Sequence, residues 1–277
     1  MQQGTKSFLG GIFGKKKETA KEEPEKDSQL EKDIADAIEQ FKKDNVRKTI
    51  TLKIGPNSKD DPSKVTHTKI GGTPYWPKDQ TWPEYDGRPM ICVAQLNLSD
   101  LPKLDDFPTT GILQFFIDTD ENWDSPDGVK IIYHEKVDAS NTLQEVPVTT
   151  EDDRAGFIDS EVFYPTGELE EDYPNADNES CDVFDYLKDK FGKEVIDKYA
   201  KLVWKHTSAS YGTRIGGWPS YTQAEPGFVD NDTIQLLQMD SEGGMMWGDC
   251  GIAHFFIQKE DLKRKNFDHV MFTWDCC

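Results

Sequence analysis

The chain has 277 residues, 35% hydrophobic and 11% aromatic, enough to bury a sizeable core and too aromatic for a chain that stays unfolded. Its formal charge is −20 at pH 7, from 52 acidic and 32 basic side chains. That field repels nucleic acid phosphates and anionic lipid head groups, which disfavours direct nucleic acid and membrane roles and leaves a basic protein, a metal ion or a neutral ligand compatible with it.

Residues 1–27 are rich in Lys, Glu and Gly and poor in apolar side chains, so a disordered tail is expected there. Within it Phe8–Phe13 is apolar and precedes Lys15-Lys16-Lys17. As a secretory signal the patch is too short and its charge lies on the wrong side; it reads as part of the leader, or as a weak contact with a membrane or partner. No apolar run approaches the roughly 20 residues that span a bilayer. The expected location is cytoplasmic. Five cysteines make an odd set for so long a chain, and reduced thiols are expected; Cys276-Cys277 reads as an inert terminus or, alternatively, as a redox or metal pair.

Leu30, Ile34, Ile38 and Phe41 recur at helical spacing, with Ser28 and Glu31 placed for a capping box. Strands are expected at Ile50–Ile54, Met90–Leu96, Gly111–Ile117, Val129–Tyr133, Gly251–Ile257 and Val270–Trp274. The two Gly-Ile-x-x-Phe-Phe-Ile blocks are apolar on both faces, as in strands buried from both sides. Helices are expected at Val183–Phe191, with Phe184, Leu187 and Phe191 on one face, and at Lys193–Val203, with Val195, Tyr199 and Leu202; Gly192 separates them. The fold class is α+β, mainly β, with a few peripheral helices.

The chain also repeats itself. Lys69-Ile70-Gly71-Gly72-Thr73-Pro74 aligns with Arg214-Ile215-Gly216-Gly217-Trp218-Pro219; Ala94-Gln95-Leu96-Asn97 with Leu237-Gln238-Met239-Asp240; and Gly111–Ile117 with Gly251–Ile257. Three blocks in one order at similar spacing predict an internal duplication, with pseudo-twofold halves that cover each other's apolar faces. Residues 28–277 are then one domain of two repeats, about 50–137 and 205–277, joined by an acidic, partly helical insertion over 138–204. Between Asp138 and Asp189 stand sixteen acidic and two basic residues, so −14 of the chain's −20 is concentrated there. The segment reads as a solvated insertion or as a docking surface for a basic partner.

Together Ile70–Pro77, Gln95-Leu96-Asn97-Leu98, Gly111–Ile117, Gly216–Pro219 and Trp247-Gly248-Asp249-Cys250-Gly251 resemble the YwqG-like family of bacterial proteins of unknown function, over about residues 50–275. The resemblance implies a duplicated, β-rich fold and brings no activity or catalytic set. Cys250 is a position at which the family's usual residue is not assumed.

Features shared by both halves are the simpler candidates for fold maintenance, and features of one half for function. The Gly-Gly-x-Pro turns are accordingly geometric. Tyr75, Trp76 and Trp82, with Trp218, Tyr221 and Trp247, are candidates for a stacking platform that binds a sugar, a peptide or another small ligand, or for anchors of loops to the core. Gln95 and Gln238, set in apolar strands, are expected to brace neighbouring backbone. Asp249, His254 and Cys250 are the catalytic candidates: His254 as a base, Cys250 as a nucleophile, and Asp249 converging with His254 and Asp240 or Asp275 on a metal, or capping a turn. Cys250 and His254 lie roughly 13 Å apart along a strand, and the spacing fits no recognised metal pattern, so no metal and no cofactor is assigned. The leading reading is a non-catalytic protein-binding module that docks a basic partner, in an antitoxin-like or inhibitory role, and a monomer. The alternatives are a hydrolase of unrecognised type with a cleft near Trp247–His254, and a carbohydrate or small-ligand binder.

Overall fold

The computed structural model describes residues 22–118, 128–143, 145–149 and 162–276, with the backbone alone for 22–25. The Phe8–Phe13 patch, Cys277 and residues 144 and 150–161 of the acidic stretch lie outside these residues. Among them are twelve strands and four α-helices. Helix α1 spans Glu22–Asp44. It begins six residues before the expected cap, so Ser28 stands inside the helix and closes no capping box. The N-terminal turns dock on a neighbouring helix, where Asp27 accepts hydrogen bonds from Lys198 Nζ at 3.0 Å and Tyr199 Oη at 3.1 Å. Ile34, Ile38 and Phe41 are buried as their spacing predicts.

Two antiparallel sheets carry the core. One orders β2 (Lys69–Ile70), β5 (Ile91–Asn97), β6 (Ile112–Ile117) and β7 (Val129–His134); β3 (Glu84–Tyr85) and β4 (Arg88–Pro89) form a separate hairpin. The other runs β12-β11-β10-β9-β1-β8, from β12 (Met271–Asp275) through β11 (Ile252–Gln258), β10 (Thr233–Asp240), β9 (Arg214–Gly216) and β1 (Arg47–Lys53) to β8 (Thr166–Asp172). The runs β2-β5-β6-β7 and β9-β10-β11-β12 thus have the same order. Each has its register shift at the aligned position, between Cys92 and Ala94 and between Gln235 and Leu237. Every residue of β6 is buried, and in β11 all but Gln258, as expected of strands covered on both faces. The sheets meet through the aligned pair Phe115 and Phe255, with ring centroids 5.0 Å apart.

Residues 47–58 and 162–172 form an antiparallel ribbon that reaches both sheets. Register runs from Arg47↔Asp172 to Lys53↔Thr166, and Ser58 bridges Val162 beyond it. The ribbon lends a different strand to each sheet: Phe163 bridges Ile70 of β2, while Thr49, Ile50 and Thr51 pair with β9. Sequence patterning missed β8, because Thr166-Gly167-Glu168-Leu169-Glu170-Glu171 lacks the β-branched and aromatic content that marks a strand. Its pairing comes from β1.

Helices α2 (Val183–Phe191) and α3 (Lys193–His206) close a second, smaller core against α1. The Asp182 carboxylate caps α2 by accepting from the backbone N–H of Phe184 and Asp185. The buried face of α3 is Ile196, Tyr199 and Val203, which keeps Tyr199 of the expected stripe and replaces Val195 and Leu202 by their next neighbours, and in α2 Val183 joins Leu187 inside while Phe184 is only partly covered. The reason is that α3 packs against α1 and α2 together, so its most enclosed line falls between the two partners.

Candidate functional site

Lys69 and Arg214 open the aligned turns, and both are almost fully buried. Lys69 Nζ donates to Thr73 O at 2.8 Å and to Asp60 Oδ1 at 3.4 Å. Arg214 Nη2 donates to Trp218 O, and Nη1 stands 3.3 Å from Asp172 Oδ2. Each carboxylate also accepts the backbone N–H two residues after the second glycine's predecessor: Thr73 N to Asp60 Oδ2 at 2.8 Å, Trp218 N to Asp172 Oδ2 at 2.6 Å. Burial lowers the proton affinity of both cations, and the facing carboxylates oppose it. The glutamines complete the pattern. Gln95 Oε1 accepts from Tyr75 N and its amide donates to Val65 O and His67 O; Gln238 Oε1 accepts from Ser220 N and its amide donates to Gly212 O. These polar groups brace turns, as the glutamines were expected to.

A cleft of about 360 Å³ opens beside the second turn, bounded by Lys48, Asp106, Phe107, Gly217, Gln235 and Lys259. Lys259 is already engaged by Asp106 at 3.3 Å.

The aromatic candidates do not form a platform. Trp76, Trp82, Trp218, Tyr221 and Trp247 are each less than a tenth exposed. Trp76 and Trp82 pack on each other and on Phe116, with indole N–H bonds to Gln80 O and Met90 O. Trp218 donates to Asn45 O and carries the Arg47 guanidinium 3.5 Å above its ring. Large amphipathic rings beside tight turns gain most by filling the space under them, so the anchoring reading holds and the stacking reading is corrected.

The catalytic candidates are separated. His254 lies fully buried in β11, and burial holds its pKa at about 3, so it is neutral near pH 7. Asp249 and Cys250 are exposed on the turn before β11. That turn is closed by Gly251 N donating to Trp247 O at 2.7 Å, with Gly248 and Cys250 in the left-handed region, and not by the Asp249 carboxylate. Asp240 and Asp275 accept backbone N–H groups of Gly212 and of Thr222 and Gln223. Among the described residues no cluster of three or more His, Cys, Asp or Glu side chains is placed to hold a metal.

Within the acidic stretch expected as an insertion or docking surface, one feature was not anticipated. Strand β8 ends the six-stranded sheet among the described residues, so one of its edges has no neighbouring strand. Glu168, Glu170 and Glu171 are exposed on it, and Leu169 is 46% exposed between them. Lys53 on β1 balances part of this charge, 3.5 Å from Glu168 and 3.6 Å from Glu170. The charge count flagged the segment; that it is a strand edge needed the pairing with β1.

Fold and site together define a mainly β, α+β protein whose buried ionic groups serve its turns and whose open sheet edge is acidic. The chain belongs to the family described as Domain of unknown function (DUF1963), which matches residues 68–276. This fits the uncharacterised family expected from the motifs. No curated protein matches the chain. No helix of the described residues is long and apolar enough to cross a membrane.

Proposed function

We propose that this protein is a non-catalytic protein-binding module that receives a basic, extended segment of its partner as an added strand on β8. The observation that carries the reading is the open edge itself: a row of backbone donors and acceptors beside exposed Glu168, Glu170 and Glu171, with Leu169 available for apolar contact. An edge strand gains main-chain hydrogen bonds from an incoming strand, and the carboxylates favour Lys or Arg at its alternate positions. The reading takes the chain as a cytoplasmic, YwqG-like monomer whose two four-strand runs are copies of one unit. Their common order, common register shift and matching cation–carboxylate turns support the last point.

The test uses a peptide of alternating Lys and Val as the probe. Titration should show binding that weakens as salt rises and weakens further in the Glu168→Gln/Glu170→Gln/Glu171→Gln variant, with amide exchange slowed along β8. Binding that leaves β8 amide exchange unchanged, or that ignores salt, would overturn the proposal.

A further inference from the structure

The two aligned turns are braced alike, but the groups that brace them differ in what else they can do. The second turn uses the Arg214 guanidinium, which keeps its proton in proteins, and carries the buried indole of Trp218. The first uses the Lys69 amine, and Thr73 stands where the second has Trp218. Beside Thr73 lies a cavity of about 70 Å³, bounded by Asp60, Val65, Lys69, Thr73, Thr142 and Leu143. Arg214 and Asp172 show that bracing needs neither an amine nor a cavity, so both call for a further account.

Three proton-carrying groups meet at one oxygen on the cavity wall. Asp60 Oδ1 accepts from Lys69 Nζ at 3.4 Å and from Tyr164 Oη at 3.1 Å. Lys69 Nζ also donates to Thr73 O at 2.8 Å, and Thr73 N donates to Asp60 Oδ2 at 2.8 Å, so amine and carboxylate are both held in place. The Lys69 side chain is 1% exposed and that of Asp60 28%, which makes the carboxylate the outer group and the amine the inner one. Burial favours the uncharged amine, against the pull of Asp60 and Asp61, and burial also raises the Tyr164 pKa, so the phenol keeps its proton near pH 7.

We propose that this cavity is a covalent binding site for short, uncharged aldehydes, held as an imine on Lys69. A buried lysine is the side chain that forms imines with carbonyl compounds once it sheds its proton. The volume admits only a small molecule, and the Asp60 carboxylate disfavours an anionic one such as an α-keto acid. After the uncharged amine attacks the carbonyl carbon, one proton moves from nitrogen to oxygen through Asp60 and the Tyr164 hydroxyl bonded to it. The carbinolamine hydroxyl then leaves as water with a second proton, drawn from Tyr164 and restored by solvent, while the nitrogen lone pair closes the C=N bond. That second proton replaces the one the ammonium released beforehand, so ammonium and aldehyde give protonated imine and water. The site does not depend on what β8 receives.

The test treats the full chain with glycolaldehyde at pH 7 together with cyanoborohydride, whose hydride fixes the imine as a secondary amine, and locates the adducts by peptide mass spectrometry. Lys69 is expected to be modified at least about fivefold faster than the exposed Lys103. A lysine that only braces the turn gives the opposite order, so modification of Lys69 no faster than Lys103, or only in urea, would overturn the proposal. Lys69→Arg, which copies the second turn, should lose this adduct alone; should it fail to fold, the ratio in the natural protein still decides. Tyr164→Phe is expected to slow the adduct at Lys69 and leave that at Lys103 unchanged, and an unaltered rate at Lys69 would remove the phenol from the proton path. Pyruvate should leave Lys69 unmodified; an equal adduct would overturn the restriction to uncharged aldehydes.

Discussion

Lys69 and Arg214, in different sheets, make the same contacts: each donates to the carbonyl four residues on and faces a carboxylate that also caps the turn between. The two sites differ in exposure, with the Asp172 side chain 4% exposed and that of Asp60 28%. Removing one partner of a buried pair strands the other charge, at about 3–5 kcal/mol. Asp172→Ala should therefore lower the urea unfolding free energy by about that amount, and Asp60→Ala by about 1–3 kcal/mol, since water reaches Lys69's partner. Equal losses would show that exposure does not set the difference.

Gly217 and Gly87 share a positive φ, +75° and +74°, but not their surroundings. A Cβ at Gly217 would stand 2.5 Å from Asp172 Oδ2 and 2.8 Å from Thr49 Cβ; at Gly87 nothing lies within 4 Å. Gly87→Ala should cost roughly 1 kcal/mol, from backbone strain alone. Gly217→Ala should cost at least about 3 kcal/mol, or prevent folding, because it also drives the carboxylate off Trp218 N. Thermal melts of the two variants compare them directly.

Histidine burial gives the stability a pH dependence of definite sign. His134 is 5% exposed, and burial lowers its pKa to about 4. The unfolded chain binds this proton below about pH 6.5 while the folded chain does not, so the contribution is full above that pH and is lost as pH falls toward 4. The loss is of order 3 kcal/mol, and His254 acts in the same sense. Burial raises the pKa of Glu225, which works in the opposite direction as it takes up a proton. Urea midpoints measured between pH 7 and 4.5 should fall, less steeply for His134→Gln. A flat profile would contradict the burial of the imidazole.

Thiol reactivity should rank the described cysteines by burial. Cys250 is exposed, whereas burial raises the Cys181 thiol to about 11 and the Cys92 thiol to about 12. The thiolate is the reactive form, so iodoacetamide at pH 8 should label Cys250 first and Cys92 only after unfolding. Peptide mapping by mass spectrometry reads the order, and early labelling of Cys92 would show that β5 opens readily.

What the sequence disclosed and what it hid follow one physical division. The central strands were legible because Gly-Ile-x-x-Phe-Phe-Ile places apolar side chains on both faces, and α2 because Phe184, Leu187 and Phe191 recur at helical spacing before Gly192. Strand β8 was hidden, since its place depends on a partner more than a hundred residues away. The aromatic candidates misled for a similar reason: an indole beside a Gly-Gly turn reads the same whether it faces water or core, and only the packing of Phe116 and Arg47 decides it. His254 stood out because it breaks the correspondence with Gln114. The sequence could not show that it is sealed from solvent.

Strand β1 lies upstream of residue 68, where the family match begins, yet it occupies an interior position of the six-stranded sheet. A fragment cut at that boundary would lose the strand that separates β9 from β8. Its remaining sheet would carry a raw edge at β9, liable to pair between molecules, while β8 would lose its partner among the described strands. For expression or dissection the unit must therefore start before Arg47, and a split chain should regain its fold only when the segment holding β1 is supplied in trans.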